Sequence, residues 1–137
     1  MDFKKLGIEE NSTVNEGVIS SVEEKLGCQL PQSYYDLVRF NHEPEPEACE
    51  FDYGSQSTCV SEFFRFTDDE SYEYGILAYR PSITGVAERY VPIARDPGDA
   101  LICFDRERNF ALVILDRDNG AVDLVAKTFG DFLSSLR

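Results

Sequence analysis

The sequence predicts an α+β fold: a central, mostly antiparallel sheet of about 4–6 strands, flanked by N-terminal helices and a short C-terminal helix. Three observations predict it. Two segments of helical apolar spacing come first, short apolar runs separated by turn signals follow, and one more helical pattern closes the chain. Tyr90 to Asp105, YVPIARDPGDALICFD, is the central piece. Tyr90, Val91, Ile93 and Ala94 precede Asp96-Pro97-Gly98-Asp99, and Ala100, Leu101, Ile102, Cys103 and Phe104 follow it. Pro97 presets φ for a turn, and Gly98 is expected to supply the positive φ beside it. Two apolar runs about such a turn predict a hairpin of buried strands. Their unbroken apolarity places that hairpin in a sheet covered on both faces. Pro92 is expected at a bulge, or beside a neighbour that needs no donor from it.

Along the chain, Thr13-Val14-Asn15-Glu16 has the form of a capping box. Val18, Ile19, Val22 and Leu26 follow at helical spacing, and Gly27 stands where a left-handed C′ residue belongs. A second helix is expected to open with Pro31 as its first residue and to fade near Asn41, with Leu30, Tyr34, Leu37 and Val38 as its apolar stripe. His42 to Gln56 has no periodicity, and the prolines of Glu43-Pro44-Glu45-Pro46-Glu47 oppose a helix. An exposed acidic loop is expected there. Thr58 to Phe66 has strand composition, with Phe63, Phe64 and Phe66 packing inward. Thr67-Asp68-Asp69-Glu70 resembles a second capping box, introducing a helix through Tyr72, Ile76 and Tyr79 that stops before Pro81. After the central hairpin, Asp105 to Asn109 predicts a turn and Phe110 to Leu115 a strand. Asp116 to Gly120 then predicts a tight turn tipped with charge, and Ala121 to Ala126 another strand. Thr128 and Asp131 cap a helix whose Phe129, Phe132, Leu133 and Leu136 share one face.

The 137 residues fit one domain with a substantial core, including 10 Phe and 7 Tyr. No apolar run approaches the roughly 20 residues of a membrane span, so no membrane association is expected. The opening MDFKKLGIEENST has no apolar segment behind its lysines, which predicts no secretory signal and a soluble cytoplasmic protein. Cys28, Cys49, Cys59 and Cys103 have no CxxC spacing and no histidine near enough to complete a zinc site. With no oxidising compartment indicated, all four are expected to be reduced. No metal and no cofactor are expected.

Charge is the informative bulk property. Of the net −13, residues 41–73 carry 10 acids against Arg65 alone. A field of that sign repels phosphate backbones, so nucleic acid is not an expected partner. It attracts a basic one. The segment from Glu43 to Glu73 is therefore either a solvated, solubilising face or a contact surface. The contact reading assigns Glu43, Glu45, Glu47, Glu50, Asp52, Asp68, Asp69 and Glu70 as carboxylate contacts, with Phe51 and Tyr53 as aromatic anchors. The prolines would pre-order the loop and lower the entropy lost on binding.

Asp99 and Asp105 bracket the central strand and raise the question of acid–base work. Six residues at roughly 3.3 Å each put their backbones on the order of 20 Å apart, so turn-stabilising bonds are the expected role. His42 is the only histidine, with no nucleophile marked beside it, and Gly98 belongs to no phosphate-binding loop. No catalytic residue is expected.

Three blocks resemble the SMI1/KNR4 family, also called the SUKH superfamily. Val22 to Asn41 matches its helix, Leu30-Pro31, Tyr34, apolar and Asn41 signature. Tyr90 to Asp105 matches its Pro92-Ile93-Ala94, acid Asp96, Gly98-Asp99, apolar strand, Asp105 core. Ala126 to Leu133 matches its closing helix with Phe129, Phe132 and Leu133. The family often has Asn-Gly where this chain has Asn41-His42, and Gly-Gly-Asp where it has Pro97-Gly98-Asp99. Both departures alter loops that face a ligand. The resemblance implies an immunity protein of a bacterial polymorphic toxin system, which binds and neutralises a cognate toxin, commonly a basic nuclease. On that reading the acidic segment would mimic nucleic acid. A fungal member regulates cell-wall glucan synthesis, usually with added disordered arms; none is expected here, so the resemblance implies the compact, bacterial type. The alternatives are thus a regulatory interaction module and, third, a carboxylate-based hydrolase. A monomer or a homodimer paired through edge strands fits the composition.

Overall fold

Asn15 starts the first helix. Its side-chain oxygen accepts from the Val18 amide at 3.0 Å, and α1 runs over Glu16–Leu26. Thr13 is not the cap: Glu16 occupies the first helical position instead of the third, and its carboxylate turns to Arg39 at 2.9 Å. Ser12 uses its hydroxyl to join the Val14 amide to the Val38 carbonyl, fastening the entry of α1 to the next helix. Gly27 ends α1 at φ 76°, a conformation that costs a side-chain-bearing residue about 1 kcal/mol. α2 spans Gln32–Phe40, one residue later than expected, because Pro31 holds the extended ψ of a cap. Its Tyr34, Tyr35, Leu37 and Val38 are buried.

The computed structural model describes residues 1–79 and 88–137. The described residues form seven strands, β1 Glu50–Tyr53, β2 Gln56–Cys59, β3 Glu62–Phe63, β4 Tyr90–Arg95, β5 Leu101–Asp105, β6 Ala111–Leu115 and β7 Val122–Ala126. The helix α3, Phe129–Ser135, closes the fold with Thr128 as its cap. β3 to β7 form one antiparallel sheet in sequence order, and β1 pairs with β2 in a separate hairpin. This is the α+β architecture the sequence predicts.

The central hairpin forms as expected, with a register shift between Pro92 and Ala94 that accommodates the proline. Its turn differs in one detail. Asp96 draws both the Gly98 and Ala100 amides onto one carboxylate oxygen at 2.9 Å, and the positive φ falls on Asp99 at 64°. Period-two alternation then divides β5 and β6 between two apolar faces. Ile102, Phe104, Leu112 and Ile114 meet the helices, while Leu101, Cys103, Val113 and Leu115 pack with Phe64 and Tyr90 on the other side. The Tyr34 ring stands edge-on to Phe104 and Phe129, at 5.5 and 5.3 Å, tying α2, β5 and α3 together.

Three expectations are corrected. His42 to Gln56 is not all exposed loop: β1 sits within it, and Phe51 is fully buried. Alternation over four residues is too short to register as a strand, and the flanking glutamates hide it. Residues 67–79 are turns, with no helix. Thr67 accepts from the Asp69 amide and Asp69 from the Ser71 amide, local bonds that compete with helical ones. Gly75 lies in a bridge with Arg65, and an added Cβ there would stand 3.1 Å from both the Tyr72 carbonyl oxygen and the Thr67 methyl. The expected stop before Pro81 lies outside the described residues.

The third correction concerns the cysteines. Cys49 and Cys59 form a disulfide, and Cys28 and Cys103 are free. Pairing Glu50 with Cys59 and bonding the Val60 amide to the Cys49 carbonyl at 2.8 Å puts the two Cα atoms 4.9 Å apart. The register thus creates a pair that spacing alone could not reveal. Replacing both cysteines by serine is expected to cost about 2–3 kcal/mol, the chain entropy of a loop this short. Urea denaturation of the double variant without reductant measures it, and reductant should bring the parent to nearly the same stability.

Candidate functional site

The acidic segment folds into a loop, the β1–β2 hairpin and the turns after β3. Asn41 sets the loop's course. Its amide nitrogen donates to the Glu9 carbonyl and its oxygen accepts from the Glu43 amide, both at 2.9 Å. The Glu47 amide then bonds to the Leu6 carbonyl at 3.1 Å, and Pro44 is buried. Both ends of the Glu43–Glu47 loop are thereby held.

Among the described residues, four bases converge on this segment and decide how much of its charge is available. Arg65 meets Glu43 through two bonds, at 2.9 and 3.3 Å, with its guanidinium 4.2 Å above the Tyr72 ring. Arg95 reaches Glu62 at 3.0 Å and Asp99 at 2.8 Å. Arg137 bonds Glu50 and Asp52 at 2.8 and 2.7 Å, and exchanges two backbone bonds with Glu50. Lys25 reaches Glu70 at 3.7 Å and the Asp68 carbonyl at 2.8 Å. Hydrogen bonds from Arg137 and then Ser57 hold the Asp52 carboxyl down to about 2, so it stays ionised. Hydrogen bonds from Ser71 lower the Asp69 carboxyl as well. Among the described residues, these ten acids face Arg65 and three bases from elsewhere, an excess of six negative charges. Among the described residues, Glu45, Glu47, Asp68, Asp69 and Glu73 form no ion pair.

The structure separates the expected contact residues accordingly. Among the described residues, Glu45, Glu47, Asp68 and Asp69 have no ion-pair partner, whereas Glu43, Glu50, Asp52 and Glu70 are held by bases of the same chain. Phe51 is no surface anchor: it is fully buried, 5.2 Å from the Phe132 ring. Tyr53 lies at the hairpin tip with its hydroxyl on Gln56. Sequence reasoning missed Glu62, Tyr72 and the arginines, which join the site through the fold. Arg137 is 85 residues from Asp52 in sequence, and no local pattern links them.

The Glu43–Pro46 loop walls two clefts. One, of about 450 Å³, lies toward β3 and is lined by Glu43, Glu45, Val60, Glu62, Phe63 and Tyr72, among others. The other, of about 400 Å³, is lined by Glu9, Asn11, Asn41, His42 and Arg65 with the same two glutamates. His42 faces it with a buried Nδ1 that has no hydrogen-bond partner among the described residues.

Asp99 and Asp105 lie at opposite ends of β5 and engage different arginines. Asp105 has no exposed surface. It accepts from Arg89 at 2.9 and 3.0 Å and from the Glu107 amide at 3.0 Å. Burial pushes its carboxyl up, but the Arg89 bonds, the amide and Arg108 outweigh this and hold it below its ordinary value. Asp105 is a fold clamp. Among the described residues, no group of three or more His, Cys, Asp or Glu side chains is placed to hold a metal, and no helix is long and apolar enough to cross a membrane.

The family model described as SMI1 / KNR4 family (SUKH-1) matches residues 13–135. No curated protein matches the chain.

Proposed function

The chain belongs to the SMI1 / KNR4 family (SUKH-1), and from that premise we propose that it is an immunity protein acting in the cytoplasm on a basic toxin domain. Family membership supports a protein-interaction module of immunity or regulatory type. The unmatched carboxylates beside a pinned, proline-bearing loop carry the finer reading. Such a surface steers a cationic partner from a distance and loses little entropy on meeting it. The protein blocks the partner's basic groove as a nucleic acid would fill it, and catalyses nothing.

The test is capture from lysate and secreted fraction at about 50 and about 300 mM salt, between which the screening length falls about 2.5-fold. Recovery of one basic polypeptide, weaker at high salt, whose toxicity the protein abolishes, supports the proposal. Recovery of the cell's own synthetic enzymes, with no toxic activity among them, supports the regulatory reading instead. With the captured toxin in hand, Glu45→Lys with Glu47→Lys is expected to slow association by about tenfold at low salt, with the difference fading at high salt. Glu50 is the wrong residue for this test, because its reversal also breaks the pair with Arg137. An unchanged association rate removes the electrostatic mechanism, and protection of toxin-exposed cells decides the immunity role separately.

A further inference from the structure

We propose that the cleft between the Glu43–Pro46 loop and β3 receives one arginine side chain of a basic partner protein. The proposal rests on the interaction role for the source of that arginine and adds where the arginine goes.

The lining divides by chemistry. Val60, Phe63 and the two loop prolines supply apolar surface, while Glu43, Glu45 and Glu62 supply carboxylates. A long aliphatic stem ending in a cation fits both halves, since the stem covers apolar surface and the charged head stays among acceptors. Charge fixes the number of guests. Glu43 is matched by Arg65 and Glu62 by Arg95, which Asp99 shares, so among the described residues Glu45 is the one carboxylate of the three without an ion pair. The cleft has room in its charge for one cation.

The guest's identity follows from the walls. A guanidinium is planar, weakly hydrated, binds carboxylates through a fork and lies flat on aromatic rings, whereas an ammonium is a compact hydrated charge. The protein already makes this arrangement once at the same wall. Arg65 lies over the Tyr72 ring and is forked by Glu43. Tyr74 adds an exposed aromatic beside it. It is 39% exposed and packs edge-on to Tyr72 at 6.2 Å. An exposed tyrosine next to a cleft suited to arginine is the composition of an interface centre.

The experiment uses the whole ¹⁵N-labelled protein and three blocked tripeptides, acetyl-Gly-Arg-Gly-amide and its Lys and Gln counterparts. The arginine peptide is expected to give saturable shifts of the Glu45, Ser61 and Tyr72 amides. The lysine peptide should bind about fivefold more weakly, and the glutamine peptide should leave these amides unmoved. Glu45→Gln, a surface change that leaves the fold intact, should weaken the arginine peptide about fivefold or more. Equal shifts at every acidic surface, or none at these amides, overturn the proposal. So does a self-associated protein that the arginine peptide dissociates, since a second copy would then be the occupant. The two readings fail separately. Capture of a basic toxin by a protein whose cleft ignores the peptide removes the cleft alone, and a responsive cleft in a protein that protects no cell removes the immunity role alone.

Discussion

Phe51→Ala is expected to lower the unfolding free energy by about 3–5 kcal/mol, the cost of truncating a fully buried aromatic. Phe51 is the one residue of β1 with no exposed surface, and its ring meets Phe132 edge-on. The hairpin lies outside the five-stranded sheet, so this side chain is its principal apolar attachment to the core. Urea denaturation should show the loss with an m-value close to that of the parent, because the same surface is exposed on unfolding. A residue serving only as an interface anchor behaves in the opposite way. Truncating it leaves stability within about 0.5 kcal/mol and weakens binding alone. A stable Phe51→Ala protein would return Phe51 to the surface and undo the burial argument.

The second large effect is expected at the other end of the molecule. Asp105→Asn should cost about 2–4 kcal/mol at neutral pH, the range for removing one partner of a buried, hydrogen-bonded ion pair whose other members keep some contact with water. Asparagine keeps an acceptor for the Glu107 amide but removes the charge that Arg89 and Arg108 surround. The pH dependence fixes the cause. The folded Asp105 carboxyl titrates below its ordinary value, so its contribution is complete above about 3.9, the unfolded value, and is lost as pH falls through the folded one. The gap between parent and variant should therefore be constant from neutral pH to about 5 and close in stronger acid. Denaturation curves at a series of pH values decide this. A gap that does not close on acidification would make the loss one of shape and not of charge.

Much of the fold was legible because several elements carry local signals that agree. The i, i+3, i+4, i+7 apolar set at Phe129 to Leu136, the glycine after Leu26 and the Asp-Pro-Gly-Asp turn each state an element within a few residues. The failures have a shared physical origin. Thr67 to Glu70 has the composition of a helix start, but its hydroxyl and carboxylate satisfy nearby amides in turns, and Gly75 is committed to a bridge with Arg65. Both outcomes use the same residues, and a partner chain segment chooses between them. The disulfide was hidden for a similar reason, since a ten-residue separation becomes a 4.9 Å one only through the β1–β2 register. At the candidate site the abundance of acids was plain from composition. Which of them remain unmatched was not, because Lys25, Arg95 and Arg137 arrive from three distant parts of the sequence.

The unexposed middle strand also bears on covalent chemistry. Cys103 lies on β5 with no accessible surface, and burial pushes its thiol far above the usual range, whereas Cys28 is only partly covered. An alkylating reagent in solution thus meets one accessible thiol on the folded molecule, and reaches the second only in molecules whose sheet has come apart. The time that Cys103 survives such a reagent is a clock for the opening of the whole sheet, with Cys28 as the internal standard for the reagent itself. Loosening confined to the β1–β2 hairpin leaves that clock running at its native rate.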